Sequence, residues 1–392
     1  MINRPESQAT AFADGQSPFY ANDECMTFPL IRSLDASRLD DLCARLEELA
    51  RSPQRDGAWP AESLRLCGEA GVYAWFLPVS AGGLGWDEAE QTRAYLRLAA
   101  ADLTTTFVIT QRMTACRRVA SSENCEVARK WLPKLVTGEA FATVGISHLT
   151  TSRQHLGRPV LQATAAPGGW WLDGFSPWVT GGSQADLLVV GATLEDGRQI
   201  VAAVDADQAG VAAGPNAPLV ALSGSCTGQV DFCRVAVTED QILSGPVEQV
   251  LQQASGKGPG GLQTSALAIG LADAAARFLQ SEALRRKELT AVAERLTEDV
   301  EQAKQRLLAA AKGMAECDAG ELRGAANRLV LRATQAALTA AKGAGFVAGH
   351  PVGRWCCEAL FFLVWSCPQP VAQSHLCELA GLATWGEQEE EC

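Results

Sequence analysis

The feature that most constrains this chain is a change of hydrophobic period, and it happens twice. From about Asp35, apolar residues recur at helical spacing: Leu39, Leu42, Leu46 and Leu49 fall on one face of a helix. Near Ala142 the pattern shifts to short strand-like runs. They lie at Val160–Ala165, Trp170–Leu172, Leu187–Ala192, Ile200–Val204 and Gln229–Val237, separated by Gly-Gly and Asp-Gly turn signals. Glu195-Asp196-Gly197 reads as a hairpin turn, because glycine accepts the positive φ such turns require. From Pro246 the helical period returns in four stripes. These are Leu267/Leu271/Ala274/Phe278; Leu296/Val300/Ala303/Leu307/Ala310/Met314; Ala326/Leu329/Ala333/Ala336/Ala340; and a fourth shared by Ala359–Trp365 and Val371–Leu382.

The expected architecture is therefore α+β and mostly α. A helical N-terminal domain (31–141) precedes a compact antiparallel β domain (142–245) and a C-terminal four-helix bundle (246–384). A loose N-terminal arm (1–30) and an acidic tail (385–392) flank them.

Charge and composition narrow the function. The 392 residues carry a formal net charge of −12, which disfavours nucleic acid and anionic membrane surfaces as partners. The longest uninterrupted apolar run, Ala359 to Trp365, is far shorter than a membrane span, and the first residues lack a signal-peptide core. The 13 cysteines are scattered and include no C-x-x-C pair, so neither a disulfide framework nor a zinc site is expected. Free, mostly buried thiols in a reducing cytoplasm are the simplest reading.

Three local motifs look chemical but lack the required context. Gly256 to Gly261 fits G-x-G-x-x-G but follows a helical segment, so it reads as an interhelical loop rather than a dinucleotide fingerprint. Gly224-Ser225-Cys226-Thr227-Gly228 has the spacing of a nucleophile elbow, but a strand follows it where a helix should, and it reads as a turn. His148, His155, His350 and His375 have no metal-type spacing.

The ordered segments carry more information. They are Leu77-Pro78 with Gly82-Gly83-Leu84-Gly85, Trp131 to Glu139, Leu172-Asp173-Gly174, Trp178-Val179-Thr180-Gly181-Gly182, Arg285-Arg286-Lys287, and Gly343-Ala344-Gly345-Phe346 before Pro351-Val352. In this order the chain resembles the acyl-CoA dehydrogenase family of flavoproteins over about residues 35–382. The resemblance implies FAD held between the β domain and the bundle, where the isoalloxazine accepts hydride at N5. It implies that Trp178 packs beside the flavin, Thr180 bonds near N5 and Ser147 supplies a flavin-bonding hydroxyl. It assigns Arg286 to the FAD diphosphate of a neighbouring subunit, and Gly343 and Gly345 to a turn whose backbone approaches the cofactor. Implied partners are a small-molecule substrate such as an acyl-CoA, a second or further copy of the chain in a dimer or tetramer, and a redox partner. No metal is implied.

The pattern breaks at two places. The family's glycine-rich Thr-Glu-Pro-Gly-x-Gly-Ser loop is replaced by Ser147-His148-Leu149-Thr150-Thr151-Ser152-Arg153. The family's catalytic carboxylate, in a Tyr-Glu-Gly step, aligns with Trp365-Ser366-Cys367, so Ser366 stands at the base position. A serine hydroxyl cannot remove an α-proton unaided, and loss of a placed base costs about 10²–10⁴-fold. The alternative base position of some relatives falls near Gly260, also without a carboxylate. Glu358 lies eight residues before Ser366, about 12 Å along a continuous helix, and reads as a structural pair. Glu378 is the remaining acidic residue in the segment. The expected activity is α,β-dehydrogenation of an acyl thioester. The alternatives are a flavin monooxygenase of the same fold and a non-catalytic binding or assembly protein that retains it.

Overall fold

The computed structural model describes residues 30–34, 37–52, 57–149, 159–253, 261–314 and 318–382. Both the N-terminal arm up to residue 29 and the acidic tail lie outside them.

Five helices come first: α1 (Ser37–Arg51), α2 (Ala61–Glu69), α3 (Glu88–Ala101), α4 (Leu103–Ser121) and α5 (Cys125–Thr137). Side chains set their starts. Asp87 and Glu90 form a reciprocal capping box on α3, Asp102 accepts from Thr105 N at α4, and Asn124 accepts from Glu126 N at α5. The predicted face of α1 is the buried one: Leu39, Leu42 and Leu46 are all buried. Some buried polar groups among these helices are paired, while Tyr95 Oη and the Nε atoms of Arg112 and Arg118 have no partner among the described residues. Trp75 Nε1 donates to Ile31 O at 2.9 Å, and the Arg112 guanidinium lies 3.9 Å over the Tyr73 ring while donating to Leu135 O.

Eight strands follow: β1 (Ala142–Gly145), β2 (Leu161–Ala166), β3 (Gly169–Val179), β4 (Leu187–Leu194), β5 (Gln199–Asp205), β6 (Val211–Asn216), β7 (Gly228–Thr238) and β8 (Ile242–Val247). They form one sheet in the order β6-β7-β3-β2-β4-β5-β8, with β1 also on β4. The sheet is mostly antiparallel, but β1 and β2 both run parallel to β4, which amends the purely antiparallel expectation. The reason is visible in burial. β1 and the first six residues of β4 are buried on both faces, the pattern of a covered strand, so alternation gives no signal there. Strands β1, β6 and β8 are additions to the sequence reading. The β4–β5 hairpin turns at Gly197 (φ +87°), with Leu194 N donating to Arg198 O at 2.7 Å, as the Asp-Gly signal predicts.

Alternate residues of β4 serve two cores. Leu187 and Val189 join the continuous core shared with the helices, while Leu188, Val190 and Ala192 join Leu161, Leu172 and Val235 in a core of the sheet itself.

The short α6 (Val250–Gln253) leads to the C-terminal helices α7 (Leu262–Ala283), α8 (Thr290–Ala311), α9 (Ala319–Ala341), α10 (Pro351–Leu360) and α11 (Gln369–Leu379). Helix α7 is central, and small residues on its faces let α3, α8 and α9 pack closely against it. The first and third stripes are core. The second overshoots: α8 ends at Ala311, so Met314 is exposed. The fourth is not one helix. It breaks after α10 into a 3₁₀ turn, Phe361–Leu363, and resumes at Gln369 behind Pro368. On α11 only Val371 and His375 are buried, and Leu376, Leu379 and Leu382 face outward.

All ten described cysteines are free. Only Cys43, Cys67, Cys116 and Cys226 are buried, fewer than a mostly buried set. No described helix is long and apolar enough to cross a membrane.

Candidate functional site

Three chain segments meet where the last residues of β3 pass antiparallel beside β1. The end of β1 lies against β3 so closely that a Cβ on Gly145 would stand 2.7 Å from Ser176 Oγ. Thr143 of β1 donates its hydroxyl to Thr180 O at 2.7 Å, fixing the residue that follows β3. Thr180 Oγ1 lies 3.0 Å from Thr227 Oγ1, which lies 2.8 Å from Ser225 Oγ. This chain of three hydroxyls is buried.

Gly181 closes the arrangement. Its φ of +63° turns the chain, its N–H donates to Ser225 O at 2.9 Å, and a Cβ there would meet Trp59 at 2.7 Å and Phe141 at 2.8 Å. Only glycine satisfies both the conformation and the space. Trp178, at the end of β3, presents an indole that is 48% exposed above this buried polar base. Ser147 follows β1 in a 3₁₀ turn and is half-buried. Beside it, His148 is buried with Nε2 2.8 Å from Gly191 O, and burial holds its pKa below the ordinary histidine value. The structure thus places Trp178 and Thr180 where β3 passes the start of β1, and Ser147 just beyond the end of β1. Residues Thr150 to Arg153 of the divergent loop lie outside the described residues, as do Gly256 to Gly260.

Arg286, Gly343 and Gly345 gather elsewhere, where α7 and α9 end. Arg286 donates through Nη2 to Ala340 O at 2.7 Å and pairs with Glu282 at 2.9 Å; its buried Nε has no acceptor among the described residues. The two glycines differ. A Cβ on Gly343 would meet nothing within 4 Å, whereas one on Gly345 would stand 2.7 Å from Leu338, so Gly345 has a packing reason within its own chain.

Ser366 lies in the break between α10 and α11 with φ +44°, a left-handed conformation unusual for serine. The break is held from beneath by α9. Arg323, fully buried, donates through Nη2 to Phe362 O at 3.0 Å and Trp365 O at 2.8 Å. Asn327 donates to the same Phe362 carbonyl at 3.0 Å and lies 3.1 Å from His375 Nε2. Burial pulls the Arg323 guanidinium down to about 10, still protonated at neutral pH. Above the break, Phe107 of α4 meets the Phe361 and Trp365 rings edge-on at 5.2 and 4.9 Å.

Glu358 is a structural pair, as its sequence position suggests. It is 1% exposed, 3.6 Å from Arg354 Nε, and accepts from Thr104 Oγ1 at 3.1 Å. The helix break cancels the 12 Å helical distance to Ser366, but both partners hold the carboxylate at the start of α4. Glu378 is exposed and pairs with Arg328 at 3.5 Å. No group of three or more His, Cys, Asp or Glu side chains suited to a metal ion occurs among the described residues.

Sequence reasoning missed Thr143, Ser225, Thr227, Arg323 and Asn327. A signal existed for the last two: a charged and an amide residue four apart inside an alanine-rich helix, where both must turn inward. For Ser225 and Thr227 the motif was noticed and correctly read as a turn, with Leu222 and Cys226 left-handed and β7 beginning at Gly228.

Helices, a central sheet and a second helical layer in this order are the fold of the acyl-CoA dehydrogenases. Residues 40–139 match the family model described as acyl-CoA dehydrogenase, N-terminal domain. A probable acyl-CoA dehydrogenase of Mycobacterium leprae (strain TN), fadE25, is 23% identical over 220 residues, 55% of this chain. That match spans 54% of the relative, about half its length. Among solved structures, a glutaryl-coenzyme A dehydrogenase in complex with glutaryl-CoA superposes with a TM-score of 0.74 at 18% identity, covering 89% of this chain and 96% of the other. The structure of KijD3, in complex with FMN and a dTDP-linked keto sugar, superposes with a TM-score of 0.68 at 19% identity, covering 88% and 93%. The chain is therefore similar to the acyl-CoA dehydrogenases in its N-terminal region and in its fold.

Proposed function

We propose that this protein is an FAD-dependent oxidoreductase that acts on an acyl thioester such as an acyl-CoA. The observation that carries the reading is the half-exposed Trp178 indole next to the buried Thr180–Thr227–Ser225 hydroxyls. A planar heteroaromatic ring needs a flat apolar surface on one side and directional donors at its edge, and these residues suit an isoalloxazine on both counts. Ser147, just beyond the end of β1, would add a hydroxyl. Arg286 spends only Nη2 on Ala340 and Glu282, which leaves its Nη1 donors for an anion. It would serve the FAD diphosphate of a neighbouring subunit, with Gly343 and Gly345 beside it.

Bound FAD supplies the hydride acceptor. The chain's own residues then divide the remaining work. Trp178 covers the ring, Thr180 fixes its edge, and the Arg323–Asn327 clamp holds the Trp365–Ser366 turn in place. Ser366 can donate or accept a hydrogen bond, but it cannot keep an α-proton at neutral pH, so the dehydrogenation it supports is slow by the factor a placed base contributes.

A homo-oligomer accords with the outward leucines of α10 and α11, with Leu360, Leu376, Leu379 and Leu382 all at least half exposed. Ten free cysteines accord with a cytoplasmic location. A redox partner would reoxidise the flavin.

A second reading, a flavin monooxygenase, is favoured specifically by the serine at position 366, where dehydrogenation needs a carboxylate. Reconstitution tests the shared premise. Addition of FAD to purified protein should give a bound flavin band between about 350 and 500 nm, and Trp178→Ala should weaken FAD binding at least about ten-fold. A protein that stays colourless overturns both enzymatic readings and leaves a binding or assembly role.

A further inference from the structure

A cavity of about 690 Å³ opens between the C-terminal end of α4, the start of α5 and strand β8. That volume lies within the range of small-molecule sites. It is remote from the proposed flavin surface: its Trp170 stands at the start of β3 and Trp178 near its end, eight residues or about 26 Å away along a strand.

The wall carries a guanidinium with no ion-pair partner among the described residues. The Arg118 side chain makes no hydrogen bond or ion pair among the described residues, and its Nε is sealed from water with no acceptor. Burial alone lowers its pKa, yet at neutral pH it remains a cation. A largely desolvated guanidinium without a counter-charge is costly, and an anion that forks onto it removes the deficit. The neighbouring donors are already used. The Ser122 hydroxyl donates to Leu243 O at 3.0 Å, and the Asn124 amide donates to the backbone carbonyl of Asp240.

The remaining wall limits which anion fits. Glu123 and Glu239 also line the cavity, so a dianion would face two carboxylates beside a single guanidinium. A monoanion pairs with Arg118 at half that repulsion, and both glutamates are exposed and solvated. Trp170, Leu243, Val247 and Val250 supply apolar surface for the body that carries it.

We propose that this cavity is a second ligand site, which binds a monocarboxylate on a flat apolar body with Arg118 forked onto the carboxylate. Calorimetric titration with 2-naphthoate and its neutral isostere 2-naphthamide tests this. Saturable one-to-one binding of naphthoate is expected, at least about ten-fold tighter than the amide. Arg118→Gln should weaken it at least about ten-fold, and Arg118→Lys, which keeps the charge but loses the fork, should weaken it less. Trp178→Ala should leave it unchanged. Absence of saturable binding up to about 10 mM, equal binding of acid and amide, or equal affinity in both Arg118 variants and wild type would overturn the proposal. So would loss of binding in Trp178→Ala alone. If Arg118→Gln does not fold, the comparison of wild type with Arg118→Lys decides.

Discussion

Glu358→Gln separates a structural carboxylate from a hidden catalytic one. Glu358 is 1% exposed and held by Thr104 Oγ1 at 3.1 Å and Arg354 at 3.6 Å, joining α10 to α4. Arg354 itself donates to Ala50 O, so the pair also reaches α1. Glutamine keeps the volume and an acceptor for Thr104 but removes the charge facing Arg354. Breaking a fully buried pair costs about 3–5 kcal/mol. Here the Arg354 side chain is 31% exposed and keeps the Ala50 carbonyl. The expected loss is therefore smaller, about 2 kcal/mol, comparable to one charged hydrogen bond. For a chain of this size that lowers Tm by about 2–3 °C. Thr104→Val should show a coupling of about 1 kcal/mol with Glu358→Gln in a double-mutant cycle. The assays are thermal unfolding by circular dichroism and anaerobic flavin reduction by an acyl-CoA. A lower Tm with flavin reduction retained is expected. Unchanged Tm, no coupling to Thr104, or abolished reduction without loss of stability would refute the structural role and make Glu358 a base.

Three further outcomes follow from the same geometry. Gly181→Ala combines a left-handed residue with contacts to Trp59 and Phe141, and should cost about 2–4 kcal/mol, read as a lower urea midpoint with reduced FAD affinity; a wild-type midpoint would contradict this. His148 is held neutral by burial, so its folded pKa lies below the unfolded value near 6.5. The unfolded chain then binds the proton first as pH falls, and stability drops from about pH 6.5 downward until the folded pKa is reached. His148→Gln, which can still donate to Gly191 O, should flatten that slope between pH 7.5 and about 5.5, and an unaltered slope would refute the assignment. Ser366→Glu should raise acyl-CoA oxidation up to about 10²–10⁴-fold, and a rate no higher than wild type in a flavin-loaded variant would mean that the turn does not face the substrate.

Much of this architecture was legible in the sequence because its signals are periodic and local. Leu39, Leu42 and Leu46 mark a buried face by spacing alone, and Asp196-Gly197 marks a hairpin. The parallel β1 was not legible, because Ala142–Gly145 is buried on both faces and too short to show a period. Met314 and the fourth stripe misled for the opposite reason. Hydrophobicity continues past Ala311 and through Phe361–Trp365, but the backbone turns in both places. Of the candidate site, family resemblance pointed to Trp178, Thr180 and Ser147; β3 carries the first two beside β1, and Ser147 follows β1 in the chain. Thr143, Ser225 and Thr227 depend on contacts across 37 and 47 positions of sequence, which no local pattern encodes. Arg323 and Asn327 act through backbone carbonyls of another helix pair, so their partners leave no mark in residue identity.

The central claim is that this fold holds a flavin that an acyl thioester can reduce. The direct measurement is anaerobic titration of the FAD-reconstituted protein with acyl-CoAs of increasing chain length, followed in the flavin band, with air admitted at the end. The account predicts slow bleaching with at least one thioester, and colour returning when an electron acceptor is supplied. A flavin that stays oxidised with every thioester would contradict it, and rapid reoxidation by O₂ with an oxygenated product would assign the chain to the monooxygenases instead.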